Sequence, residues 1–70
     1  MTISQAVRTV LLIAGLKQND LADEYGMSKQ TMSNKFKLNR WKGDELLKLA
    51  KMSGCKLAFV LPDGKIIEME

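Results

Sequence analysis

Five cations and no anion lie between Met27 and Gly43: Lys29, Lys35, Lys37, Arg40 and Lys42. Among them stand Gln30, Thr31, Ser33 and Asn34, whose amides and hydroxyls both donate and accept hydrogen bonds. Positive charge at this density suits a polyanion, because each phosphate neutralised releases condensed counterions. The plain alternative is a solvated lysine face, and a charge run alone favours it. The remainder of the chain holds six basic and eight acidic residues, so the net charge of +3 comes from one window rather than from the whole surface.

The chemistry that is missing narrows the reading. With no histidine and a single cysteine, Cys55, the chain lacks the side chains for most zinc sites and for Ser-His or Cys-His nucleophiles. The carboxylates Asp20, Asp23 and Glu24 belong to one exposed helix face rather than to a pocket. We therefore expect a protein that is not an enzyme, with no cofactor and no metal. Cys55 has no partner for a bridge, which suits a reducing compartment, and it is expected to be a small buried hydrophobe in a cytoplasmic protein. The longest apolar run, Val10 to Ala14, is far short of the ~20 residues that span a bilayer, so no membrane partner is expected. No positive charge precedes Arg8, and the N-terminus reads as mature structure.

These side chains need elements to hold them. At 70 residues the chain makes one domain, and a domain of this size buries only roughly 60% of its unfolded surface. Thr2 and Gln5 have capping-box spacing, and Ile3, Ala6, Val7, Val10, Leu11 and Ala14 recur at helical intervals up to a stop at Gly15, where Leu16 folds back. A short second helix runs from about Gln18 to Tyr25, with Leu21, Ala22 and Tyr25 inward, and Gly26 ends it. Ser28 caps a third helix reaching about Lys37, so the joint is a helix-turn-helix connection. On that helix only Met32 and Phe36 point inward, and at 100° per residue Gln30, Asn34 and Lys37 lie opposite them. After a loop over Leu38 to Lys42, a fourth helix covers Asp44 to Ser53 with Leu46, Leu49, Ala50 and Met52 inward. The period then changes to two, and Pro62-Asp63-Gly64 makes a type I turn with a bulge between strands that pair Val60 with Ile66 and Leu57 with Met69.

The run Gln18-Asn19-Asp20-Leu21-Ala22-Asp23-Glu24-Tyr25-Gly26-Met27-Ser28-Lys29-Gln30-Thr31-Met32-Ser33, continued by Asp44 to Ala50 and Gly54-Cys55, resembles the Cro/CI-type (XRE-type) helix-turn-helix of phage and bacterial repressors. The resemblance covers roughly Leu11 to Cys55. It implies a mainly α fold, a lambda-repressor-like bundle of four helices, here with a C-terminal β-hairpin. It also implies double-stranded DNA as partner, with Lys29, Gln30, Ser33 and Asn34 toward base edges and Gln18 on phosphate. The chemistry agrees, since Lys donates to guanine, Gln and Asn pair with adenine, and Ser serves either. Thr31, Lys35, Lys37 and Arg40 complete the expected phosphate contacts, and Gln18 would accept a hydrogen bond from Lys29. Three positions depart from the family pattern, and one of them, Ser53, falls where a leucine is common and leaves a smaller core plug at the end of the fourth helix. Lys17 and Lys42 stand at helix starts without a strong capping side chain, so fraying is expected there. Trp41 has three readings: core anchor, phosphate contact through its indole N–H, or interface residue.

The expected organisation is a single domain over residues 1–70, a helical core over 2–54 and a hairpin over 56–69. One hairpin face, Leu57, Phe59, Leu61, Ile67 and Met69, should pack on the helices. The other, with Ala58, Val60 and Ile66, should form the interface of a homodimer that occupies a palindromic operator as a transcriptional regulator, in the manner of a repressor. The rival is an antitoxin-like module whose main partner is a toxin or another protein, with the hairpin as its docking edge.

Overall fold

Thr2 opens the first helix, α1, at Ile3–Ala14: its Oγ1 accepts the Gln5 N–H at 3.1 Å, and the Gln5 carboxamide accepts the Thr2 N–H at 2.7 Å. The computed structural model describes all 70 residues, and the elements that follow are α2 (Gln18–Tyr25), α3 (Lys29–Leu38), α4 (Gly43–Ser53), β1 (Leu57–Val60) and β2 (Ile66–Met69). At the end of α1 the Leu16 N–H reaches back to the Leu11 carbonyl at 2.9 Å, which folds Leu16 onto the core. Asn39 ends α3 in the left-handed conformation at φ 52°, a role its short polar side chain permits.

The starts of α2 and α4 differ from expectation. Lysine has no acceptor to offer a helix, yet the Lys17 N–H donates to Asp20 Oδ2 at 2.7 Å and the Lys42 N–H to Glu45 Oε1 at 2.8 Å. Each is the returning half of a capping box, supplied by a carboxylate three residues on, and each places negative charge at the helix's positive end. The spacings Lys17-x-x-Asp20 and Lys42-x-x-Glu45 carry this signal without a capping side chain at the first position.

Val7 and Leu11 from α1, Leu21 and Ala22 from α2, Met32 and Phe36 from α3, and Leu49 from α4 form the core. Leu16, Tyr25, Met27, Trp41, Leu46 and Met52 pack around it. Ala22 is 2% exposed, which lets α2 and α3 approach, and Met27 plugs the joint between them. Ile3 and Ala14, at the two ends of the α1 stripe, are exposed. Cys55 is exposed rather than buried: its backbone N–H continues the α4 cap to the Ala50 carbonyl at 3.0 Å, which places the residue outside the bundle.

The hairpin has the expected register, Leu57 with Met69, Ala58 with Glu68, Phe59 with Ile67 and Val60 with Ile66. At its turn the Gly64 N–H donates to the Leu61 carbonyl at 2.9 Å and the Leu61 N–H to the Lys65 carbonyl at 2.8 Å, with Gly64 at φ 90° as the bulge requires. Its packing is not as expected. Only Leu57 and Ala58 are half-buried within the strands, at the base beside α4, whereas Phe59 is 63% and Ile67 52% exposed. The strands meet the helices at their base, where β1 lies beside α4, and the outer half of either face is left uncovered.

Candidate nucleic-acid interface

Gly26, Met27 and Ser28 carry the chain from α2 into α3. Gly26 takes φ 65°, a left-handed conformation that glycine adopts without steric cost, and the Met27 N–H then bonds the Ala22 carbonyl at 2.9 Å. Ser28 caps α3: its Oγ accepts the Thr31 N–H at 3.1 Å and donates to Thr31 Oγ1 at 2.9 Å. With Met32 at 0% and Phe36 at 5% exposure, one line of the helix is fixed to the core. Lys29, Gln30, Thr31, Asn34 and Lys37 are consequently exposed, and Ser33 is half-buried at the flank.

Gln30 and Asn34 are coupled. Gln30 Nε2 donates to Asn34 Oδ1 at 3.3 Å across one turn, leaving Gln30 Oε1 and Asn34 Nδ2 with free hydrogen-bonding capacity on the exposed arc. The i, i+4 spacing of two amides was the available sequence signal for this pair. Gln18, half-buried at the start of α2, forms no hydrogen bond with Lys29, contrary to expectation. It lines a depression with Arg8, Leu12 and Phe36, and the Arg8 guanidinium lies 5.0 Å from the Phe36 ring centroid. Arg8 thus adds a cation beside Gln18 that lies outside the basic window.

Lys35 is a correction. Its Nζ lies 2.7 Å from Glu45 Oε1, with the two side chains only 13% and 12% exposed, and 5.5 Å from the Trp41 ring centroid. The ammonium is directed at α4 rather than at solvent. Burial alone would push the Glu45 carboxyl up, but hydrogen bonds from Lys35 and the Lys42 N–H, together with the positive charges of both lysines, outweigh it and hold the group below the usual carboxylate range. The Glu45 carbonyl accepts the Tyr25 hydroxyl. Burial, then the charges of Glu45 and Glu24, push that phenol up to about 12, so Tyr25 remains a donor at neutral pH.

Trp41 resolves as a core anchor. Its ring meets Phe36 edge-on at 5.0 Å and 82°, and its Nε1 donates to Ser4 Oγ at 3.0 Å, so the indole N–H is occupied within the fold. Ser4, buried in α1, also donates through Oγ to the Phe36 carbonyl at 2.9 Å and through its N–H to Asn39 Oδ1 at 2.8 Å. This polar joint fixes the C-terminal end of α3 and the start of the loop bearing Arg40. Lys29, Lys37, Arg40 and Lys42 are the cations of the basic window that remain exposed.

No helix is long and apolar enough to cross a membrane. Comparison with curated proteins and with solved structures gives no match. The family description "Bacteriophage CI repressor helix-turn-helix domain" matches residues 5–64, which takes in α1 from Gln5 onward, the other three helices and the first strand. That family is one of DNA-binding regulators rather than enzymes. A glycine-jointed helix pair with an exposed polar third helix, inside a match covering most of the sequence, makes this chain a member of the bacteriophage CI repressor helix-turn-helix domain family.

Proposed function

We propose that the chain is a sequence-specific double-stranded DNA-binding repressor that works in the cytoplasm as a homodimer on a palindromic operator. The observation that carries this reading is the polar arc of α3, where Lys29, Gln30 and Asn34 are exposed while Met32 and Phe36 hold the opposite line. The N-terminal turn of α3 enters the major groove, so Lys29 and Gln30 meet base edges first, with Ser33 and Asn34 a turn further along. Gln18, Thr31, Lys37 and Arg40 contact phosphate; the Thr31 oxygen already accepts from Ser28, which leaves its hydroxyl hydrogen to donate. Lys35 drops out of this set because Glu45 holds its ammonium.

Self-association is supported by apolar surface that one copy leaves bare. Val60 is 72% and Ile66 60% exposed, beside the half-buried Ala58, and a two-stranded ribbon gains little stability alone. A second hairpin packed on these residues would present two copies of α3 to one face of the duplex, with half-site centres about 34 Å apart. The rival antitoxin-like reading draws on Phe59 and Ile67, which are also exposed and would offer another protein an apolar docking face.

Selection of binding sites from random duplexes tests the proposal. A palindromic consensus with one-turn spacing is expected, bound by two chains with an affinity that falls steeply with salt. Binding indifferent to sequence and salt, with tight co-purification of a second protein, would instead support the rival.

A further inference from the structure

α3 touches the core along a narrow line. Met32 and Phe36 are its two buried residues, four positions apart, and while Ser4 holds the C-terminal end at the Phe36 carbonyl and Asn39, packing along one line resists roll of the helix only weakly. The side chains on the exposed arc reach about 5 to 6 Å or more from the helix axis, so a roll of about 20° carries their outer atoms through about 2 Å. Hydrogen bonds to base edges survive only a few tenths of an ångström of such movement. Reading bases with α3 therefore calls for a fixed point beyond the Ser4 joint, on the flank of the helix away from the Met32–Phe36 line.

Lys35 supplies that point. It sits between the outward Asn34 and the inward Phe36, and its ammonium meets Glu45 Oε1 at 2.7 Å with little solvent access to either partner. Glu45 is itself held: the same oxygen accepts the Lys42 N–H at 2.8 Å, and its backbone carbonyl accepts the Tyr25 hydroxyl from α2. One residue of α4 thus ties down both helices of the motif, α2 through Tyr25 and α3 through Lys35. The Trp41 ring, anchored on Ser4 and Phe36, lies 5.5 Å from the same ammonium. To reach a phosphate, Lys35 would have to abandon a charged partner and leave a mostly buried carboxylate with only a backbone donor, an unfavourable exchange.

We infer that Lys35 and Glu45 are positioning residues for base reading: their ion pair fixes the roll of α3 and so sets sequence preference, without contact between either side chain and DNA. The inference rests on the DNA-reading function proposed above and assigns a role that the basic window alone would have given to phosphate binding.

The test uses the full chain and two duplexes, the selected site and a scrambled one of equal length, titrated across salt concentrations at a temperature where circular dichroism shows every variant folded. The variants are Lys35→Met, Glu45→Gln and the two together; the double exchange removes both charges and so leaves no unpaired buried carboxylate. Each single exchange is expected to lower the ratio of selected to scrambled affinity about tenfold, and the double no further than the worse single, because all three break the same contact. The salt slope on the scrambled duplex should stay that of the parent. An unchanged ratio in the folded double variant would overturn the inference. So would a Lys35→Met protein that weakens on both duplexes alike and loses about one from its salt slope while Glu45→Gln does not, the pattern of a phosphate contact. If the parent chain itself shows no preference for any duplex, the DNA-reading function fails first, and the inference falls with it.

Discussion

The two phenylalanines of this chain occupy opposite kinds of place. Phe36 is 5% exposed, with Trp41 edge-on to its ring and Arg8 on its face, while Phe59 is 63% exposed, next to Val60 and opposite Ile67, both bare as well. The helical body closes its polar accounts as well: no buried side-chain nitrogen or oxygen lacks a hydrogen-bond partner. In the hairpin, apart from the base at Leu57 and Ala58, the strands are held mainly by each other, by the turn and by the exposed Lys56–Glu68 ion pair at 3.1 Å. The helices bury a shared core within a single copy, whereas the strands bury little beyond their base. The difference teaches that regular pairing is not burial: a register can be well defined while the surface it organises stays exposed.

The sharpest way to break this contrast is to truncate each phenylalanine. Phe36→Ala should cost roughly 3–5 kcal/mol in denaturant unfolding through the cavity it leaves. Phe59→Ala, measured at a concentration where the chain is monomeric, should cost under about 0.5 kcal/mol, as surface substitutions usually do. Equal losses would mean that the hairpin belongs to the folded body.

Removing apolar surface from the hairpin should separate association from folding. Val60→Lys with Ile66→Lys is expected to leave the helical circular dichroism intact while sedimentation shows monomer at concentrations where the parent is dimeric. Affinity for a single half-site should remain close to that of the parent. A parent chain that sediments as a monomer at high micromolar concentration would contradict the proposed dimer.

Within the body, the polar joint should matter next. Ser4→Ala removes the hydroxyl that accepts from Trp41 and donates to Phe36, leaving both groups short of a partner, at about 1–3 kcal/mol. On the binding surface, Gln30→Ala or Asn34→Ala should leave stability nearly unchanged. Each should cost about 1–3 kcal/mol on the selected duplex, with little loss on a scrambled one. Competition titrations with the two duplexes measure that difference.

The smallest expected effects are in pH. The Glu45 pKa in the folded chain lies below its unfolded value, so its stabilisation is complete above the ordinary glutamate range and is lost as acidification carries the pH down through the folded value. Glu45→Gln should flatten this acid limb in denaturant titrations. Tyr25 acts at the other end: its pKa rises from 10.0 to about 12, so stability should decline as pH climbs between those values, and Tyr25→Phe should remove that slope. Hairpin substitutions such as Phe59→Ala should alter neither limb.

Much of this architecture could be read from local signals, because caps and turns act over three to five residues. Thr2 with Gln5, Ser28 before α3 and the Pro62-Asp63-Gly64 turn each announce themselves within one window. What could not be read depends on distant residues. The basic window looks free of acid because it ends at Gly43, yet Glu45 stands just beyond it and folds back one helix to reach Lys35. Trp41 admits three readings in the sequence because the partner that decides among them, Ser4, lies 37 residues away. The outward face of α3 was legible because Met32 and Phe36 were its only inward candidates; the fixing of its roll was not, since that is a property of α4. The hairpin's composition gave its register but not its cover, because composition does not show how much helical surface remains unspent.

Trp41 also gives the molecule a built-in optical probe. It is the single tryptophan, seated between Phe36, Ser4 and the Lys35 ammonium, and the single tyrosine, Tyr25, bonds the residue that holds that lysine. The hairpin contains neither chromophore. Emission excited at the red edge of protein absorption therefore follows the joint behind α3 without any label and is dark to the strands, so a change in it reports the helical body and not the hairpin.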